Sequence, residues 1–259
     1  MQKLPLLLLT ILFACSTTTQ KQETTSEPSR YPDHLLKMFD KHGSLDAWKK
    51  MRAMSYEITG EEGNEKQQID LRNRRERIEA TNFATGFDGT NIWLDADSTY
   101  EGNPVFYHNL MFYFYAMPFV LADEGINYAP ADTLTFEDKK YPGFKITYQS
   151  NVGISPEDEY YLHYDAESYQ MTWLGYTVTF FSKEKSKEVR WIRYNQWQEI
   201  QGLVLPEALT WYKYDNNQLT EPRGTAEFVN VMISEKAFAD SIFSKPEEAV
   251  FVLEDPDTI

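Results

Sequence analysis

Apolar residues recur at every second position along most of this chain, and the spacing lengthens to that of a helix near the start and again around residue 105. Residues 34–42 carry Leu35, Leu36, Met38 and Phe39 on a helical period and stop at Gly43, and Ser44 then caps a second short helix with Leu45, Ala47, Trp48 and Met51. From Met54 the period is two. Residues 54–58 alternate, 68–80 read as one long strand with a wet face, and 83–94 fold back at Asp88-Gly89, a strong hairpin signal. Asn103-Pro104 opens a helix with a cap residue and a proline at the first helical position; it runs over 105–117 and breaks at Pro118. Strand alternation returns over 133–136, 144–149, 159–164, 169–181, 188–200, 204–214 and 224–233. The turns between them fall at 141–143, 165–168, 183–186, 201–202 and 215–218, and a last helix covers 234–243.

Short turns between successive strands imply an antiparallel meander. A sheet of this length must hide its edges and one face. The expected fold is therefore mainly β with helices (α+β): a curled antiparallel sheet, or incomplete β-barrel, enclosing the aromatic-rich helix, with residues 32–259 as a single domain.

The first fourteen residues differ from all this. A basic Lys3 precedes an apolar run ending Leu12-Phe13-Ala14, and the only cysteine, Cys15, follows. That pattern predicts a secretory signal over 1–14, too short to span a bilayer as a stable helix. Residues 16–30 hold no apolar side chain, so 15–31 is expected to be a disordered tether. Removing the signal takes away one lysine and no acid, moving the net charge from −15 to −16. Such a balance argues against nucleic acid and against docking to anionic lipid through a basic patch. Without Cys15 the chain has no thiol for a disulfide, a nucleophile or a metal site.

No residue set announces a reaction. The four histidines lack metal-ligand spacing, and there is no G-x-S-x-G, P-loop or dinucleotide fingerprint, so neither cofactor nor metal is expected. The alternating acids of 95–101 lack the glycine of a calcium loop and read as solvated. The adjacent acids Glu61-Glu62 and Asp158-Glu159 are unremarkable among 40 acids. The arginines of 72–77 are interleaved with acid, with Arg75 and Arg77 on one strand face and Arg72 and Arg74 on the other, as in a salt-bridged surface strand. The stretch 102–122 is uncharged. Its length could cross a membrane, but His108, Asn109 and Pro118 speak against that, and a span would separate two halves of one sheet. It is either a core helix wrapped by the sheet or a helix that also lines a cavity for an apolar ligand. The face formed by Phe106, Leu110, Tyr113, Phe114 and Met117 is the candidate lining, with Trp93, Trp173 and Trp197 facing it.

Several stretches carry a family likeness in order: the signal ending Leu-Phe-Ala-Cys15, His42-Gly-Ser-Leu-Asp-Ala-Trp48, Phe87-Asp-Gly89 with Trp93, the strand 160–165 ending in Asp165, and Trp197 with Gly202-Leu-Val-Leu-Pro206. The N-terminus resembles a bacterial lipoprotein signal, and residues 32–235 resemble the LolA/LolB-like lipoprotein-carrier fold and uncharacterised lipoproteins of unknown function. That resemblance implies acylation of Cys15, attachment to a membrane of the cell envelope, the outer membrane by analogy from Ser16, and a hydrophobic cavity for acyl chains or other lipid-like ligands. A non-catalytic structural or assembly lipoprotein with a self-filled core is the alternative, and an envelope glycan hydrolase using two acids a further one.

Overall fold

The computed structural model describes residues 29–149, 155 and 157–252. The predicted signal 1–14, Cys15 and the tether up to residue 28 lie outside the described residues. Two helices open the folded unit, α1 (Asp33–Lys41) and α2 (Leu45–Lys50). They are separated by Gly43 at φ +104°, a left-handed conformation that ends α1, and the Ser44 hydroxyl accepts the Ala47 N–H at 3.3 Å. Tyr31 already packs edge-on to Phe39 at 5.4 Å and donates its hydroxyl to Ala122 O, so it stands with the folded unit.

Strands β1 (Ala53–Ile58), β2 (Glu65–Asp70), β3 (Glu76–Glu79), β4 (Phe83–Phe87) and β5 (Ile92–Ala96) form the first meander. The single long strand expected over 68–80 is corrected to β2, a turn and β3. Asp70 Oδ1 accepts the N–H groups of Arg72 and Asn73, and Arg74 adopts φ +57°, which reverses the chain. The Asp88-Gly89 hairpin is as expected, with Asp88 Oδ1 accepting two N–H groups.

The expected continuous helix over 105–117 is also corrected. It is two short helices, α3 (Pro104–Tyr107) and α4 (Leu110–Tyr115), followed by a 3-10 turn at Phe119–Ala122. Asn109 lies between them at φ +56°.

The second meander comprises β6 (Ile126–Phe136), β7 (Lys139–Tyr148), β8 (Tyr160–Tyr164), β9 (Met171–Tyr176), β10 (Arg190–Arg193), β11 (Trp197–Ile200), β12 (Leu203–Pro206), β13 (Ala208–Asp215) and β14 (Gln218–Ser234). The β6–β7 turn falls at Glu137-Asp138, both with positive φ, and not at Tyr141–Gly143. Pro142 sits instead where the β6–β7 register shifts, the place in a ladder that tolerates a residue without N–H. The last helix expected over 234–243 reduces to a 3-10 turn at Asp240–Ile242, followed by β15 (Val250–Phe251).

Among the described residues, thirteen strands form one antiparallel sheet in the order β15-β5-β4-β3-β2-β1-β14-β13-β10-β9-β8-β7-β6, with β11–β12 as a separate hairpin. The long β14 joins the meanders, pairing its first half with β13 and its second with β1. The end strands β15 and β6 do not pair, so the sheet is open and not a closed barrel. Its inner face and the segment 104–122 share the main core with α1 and α2, where Trp48 stacks on Phe119 at 4.8 Å.

Candidate functional site

The uncharged segment lies against the inner face of the sheet and is anchored by polar contacts. The Asn103 side chain accepts the Phe106 N–H and starts α3. At the break, the Asn109 N–H donates to Glu76 Oε2 at 2.8 Å and its side-chain amide donates to Arg74 O at 3.0 Å. The exposed backbone of a helix start is thereby met by a carboxylate from β3, which is why the chain can interrupt its helix without glycine or proline. At the far end Arg74 forks onto both oxygens of Asp123 at 2.9 and 2.7 Å. Tyr194 donates to Phe114 O at 2.8 Å, and Tyr128 donates to Leu121 O.

Between these anchors the segment fills its own space. Phe112, Tyr115 and Phe119 are fully buried. Phe114 lies 4.8 Å from the ring of Tyr176 and 6.3 Å from that of Trp211. Each such ring contributes about 1.5–3 kcal/mol of burial.

The predicted lining residues do not share one face, because the break at Asn109 rotates the two helices apart. Phe114 and Met117 point into the core. Leu110 is half-buried against it, and Tyr113 is exposed. Phe106 lies on the margin, 5.2 Å from Phe180 and 4.9 Å from Phe181. Trp197 joins the main core at its α1 end, 4.5 Å from His42. Trp93 and Trp173 are on the other side of the sheet. Trp93 pairs across the ladder with Gly86, where a Cβ would come within 2.5 Å of the indole, and donates its N–H to Phe243 O. Trp173 belongs to a second cluster with Phe136, Tyr141 and Trp191. As the strand period requires, Arg75 and Arg77 share one face, lying over Phe243 and Trp93, while Arg74 stacks on Phe112 within the main core.

The marginal group is a small aromatic cluster of Phe106, Phe180 and Phe181. Phe181 is 67% exposed, beside Phe106 and Phe180. Phe180, beside it, is buried, and Asp158 Oδ1 accepts the Thr179 N–H at 2.7 Å. Burial raises the Asp158 carboxyl above its ordinary value, against the lowering by Thr179 and Thr177.

Sequence reasoning missed a buried polar group on the inner face of β1–β3. Tyr56 donates to Gln67 Oε1 at 2.5 Å, Gln67 donates to Glu65 Oε1 at 2.6 Å, and Tyr107 donates to the same oxygen at 2.8 Å. Glu76 stands on the neighbouring strand, 3.3 Å from His108 Nδ1. Burial raises Glu65 above its ordinary value; the hydrogen bonds of Gln67 and Tyr107 oppose this and the charge of Glu76 adds to it. The signal was present in the alternation Glu65, Gln67, Ile69, which puts two polar side chains on the same face as a core isoleucine.

His42 is buried with both ring nitrogens engaged. Nδ1 donates to Val204 O and Nε2 accepts the Met171 N–H, so it is neutral; burial pushes it down to about 4. His163 is likewise buried, bonded to Tyr141 O and pushed down by burial to about 4. It is a core histidine. Among the described residues no group of three or more His, Cys, Asp or Glu is placed to hold a metal ion.

A family model described as a family of unknown function, DUF6503, matches residues 100–220, from the approach to α3 into β14. No curated protein sequence matches the chain. Among solved structures, the chain is similar to a LolA superfamily protein from Nitrosomonas europaea, at 10% identity over 75% of this chain and 89% of that one, with a TM-score of 0.42. It is also similar to a DUF1329 family protein from Desulfovibrio piger, at 8% identity over 82% and 98%, with a TM-score of 0.49. A putative outer membrane lipoprotein-sorting protein domain from Vibrio parahaemolyticus matches at 6% identity over 76% and 95%, with a TM-score of 0.33. LolA superfamily proteins are thus among those the chain is similar to, and no residue's role transfers at these identities.

Proposed function

We propose that this chain is an envelope lipoprotein, anchored through an acylated Cys15, that binds an apolar, lipid-like molecule at the margin of its open sheet. The observation that carries the reading is the mouth: an uncharged, aromatic segment, held to the sheet by a few polar contacts, presents Phe106 beside a strongly exposed Phe181, with Leu110 half-buried and Tyr113 exposed on the same segment. The lining differs from the one expected from helical spacing. Phe106, Phe180, Phe181 and Leu110 would receive the ligand, whereas Phe114 and Met117 would support it from the core. The test is uptake of a fluorescent fatty acid by the full chain carrying Cys15→Ala. Saturable uptake, weakened at least about fivefold by Phe181→Ser with little change in stability, is the expected result. A chain that folds and takes up none overturns the reading.

A second reading is favoured by one observation: the inner face is filled by Phe112, Tyr115 and Phe119. A self-filled core suits a structural or assembly lipoprotein. It predicts no uptake in the wild-type mouth and none on enlarging it. A hydrolase would need two lifted acids facing one substrate. The two lifted acids, Glu65 and Asp158, have separate hydrogen-bond partners, Tyr107 and Gln67 for one and Thr179 for the other.

A further inference from the structure

Phe181 is held outward by a fixed turn. The Lys183 N–H donates to Thr179 O at 2.8 Å, and Lys183 adopts φ +55°. Asp158 Oδ1 accepts the Thr179 N–H at 2.7 Å and Thr177 Oγ1 accepts the Glu159 N–H at 2.9 Å, which ties the segment to the approach to β8. Consecutive residues of the turn then part: Phe180 is 6% exposed and Phe181 67%. The Phe181 ring lies 4.9 Å from Phe106 and 5.0 Å from Phe180, so two rings support it.

A lone exposed ring is ordinary on a protein surface. The charge around this one is unlike that of the chain. The whole sequence carries −15, yet residues 180–190 hold four bases, Lys183, Lys185, Lys187 and Arg190, against two acids, Glu184 and Glu188, a net charge of +2. All six of these residues are exposed. Lys185 reaches Glu157 at 3.4 Å, whereas Lys183 and Lys187 form no ion pair among the described residues. The Lys183 ammonium lies 4.7 Å from the centre of the Phe180 ring. On the other side, Phe106 belongs to the stretch 102–122, which holds no lysine, arginine or acid.

An exposed ring beside unpaired ammonium groups on long apolar stems suits the boundary of a bilayer. The ring enters between headgroups and chains, and the stems let the charges stay at the phosphates. A neutral groove on a protein would take the ring and leave the lysines without a partner. The acidity of the whole chain speaks against a broad basic patch, but salt screens charges beyond about 8 Å. The charge nearest the surface therefore decides, and on this segment it is positive.

We propose that residues 180–190 form a membrane contact, in which the Phe181 ring enters the interface of an anionic bilayer and Lys183 and Lys187 meet its phosphate groups. The contact goes beyond the proposed function and does not rest on it: it requires neither a bound ligand nor a lipid on Cys15.

A single engineered thiol tests it. In the full chain carrying Cys15→Ala, Phe181→Cys or Val250→Cys takes a nitrobenzoxadiazole label at one of two exposed sites; Val250, 62% exposed, lies in the end strand β15. Vesicles of mixed phosphatidylglycerol and phosphatidylcholine should raise the emission of the label at 181 at least about threefold, as transfer out of water implies, and leave the label at 250 unchanged. Vesicles of phosphatidylcholine alone should change neither. Adding Lys183→Ser and Lys187→Ser to the chain labelled at 181 should raise the lipid needed for half the effect at least about tenfold. The same two substitutions in the unlabelled chain should leave fatty-acid uptake as it was. An equal rise at 181 and 250, an equal rise on neutral vesicles, or an unchanged lipid requirement in the lysine variant overturns the contact. A label at 181 that stays in water while the chain takes up fatty acid overturns the contact and leaves the proposed function standing. A label that enters anionic vesicles, in a chain that takes up no fatty acid, does the reverse. Self-association without vesicles that Phe181→Ser abolishes assigns the ring to a second copy and overturns the contact as well.

Discussion

The two faces of the sheet solve the same problem with opposite chemistry. On the outer face of the second meander, Phe136, Tyr141, Trp173 and Trp191 form a cluster of their own. Its polar element is a cation: Arg193 lies 5.0 Å from the Phe136 ring, 5.4 Å from Trp173 and 6.0 Å from Tyr212. The polar atoms left without a partner there are donors, the indole N–H groups of Trp173 and Trp191 and Arg193 Nε. The inner face is closed by a segment inserted between the two meanders. Its polar elements are the carboxylates Glu65 and Glu76 together with the Arg74 guanidinium over Phe112, and the atoms left over are two acceptors and a phenol. Each face carries a guanidinium over aromatic rings, Arg193 on the outer one and Arg74 over Phe112 on the inner one. What differs is the sign of the unpaired atoms, donors outside and chiefly acceptors inside.

The largest effect expected comes from cutting one ring from each face. Trp173→Ala and Phe112→Ala should each lower stability by about 3–5 kcal/mol in urea unfolding, but only Phe112→Ala should alter fatty-acid uptake. A change in uptake in Trp173→Ala would break the division between the faces. Next comes pH. His42 in the main core and His163 on the outer face have an ordinary value of 6.5 and a folded value of about 4. The unfolded chain takes up these protons first. Stability is therefore complete above about pH 6.5 and is lost as pH falls towards 4, by up to about 3 kcal/mol per histidine. Glu65, raised by burial, works the other way: its protonation relieves strain on the inner face as pH falls. Replacing His163 should flatten the pH dependence of unfolding in this range. A curve for His163→Asn as steep as the wild-type curve would contradict the assignment. The smallest effect is the most diagnostic. Arg193→Gln should cost about 1–2 kcal/mol by removing a cation from three rings, whereas Glu76→Gln should raise stability by about 1 kcal/mol by removing a buried charge without a cation. Thermal melts that show both variants destabilised would erase the asymmetry.

Local rules made much of the meander legible. Asp88-Gly89, Asp165–Ser168 and Asn216-Asn217 turn the chain where their side chains or backbone freedom allow it; of the strands expected between them, 188–200 is divided into β10 and β11, 204–214 into β12 and β13, and 169–181 is shortened to β9. The misreadings all come from partners distant in sequence or from ambiguous punctuation. Nothing within 105–117 signals a break; Glu76, from a strand 33 positions earlier, supplies the acceptor that allows it. Pro142-Gly143 reads as a turn, but the bulge in β6 lets the proline sit inside β7, and Gly143 is there because His163 lies where its Cβ would be. Trp93 and Trp173 were aromatic and in strands, but their side of the sheet depends on register, and a shift of one residue exchanges the faces.

The sequence by itself determined that this is an antiparallel β protein with a helical opening and an uncharged aromatic insert, because periodicity, caps and turn residues act over a few positions. Only the tertiary structure decided that the insert is two helices separated at Asn109, that its rings fill the inner face, and that Phe106 meets an exposed Phe181. It alone linked Tyr56, Gln67, Glu65 and Tyr107 by hydrogen bonds and set Tyr115 beside Tyr56. The physical reason is that burial and electrostatics are summed over neighbours in space, and neighbouring strands bring together residues that the chain keeps tens of positions apart.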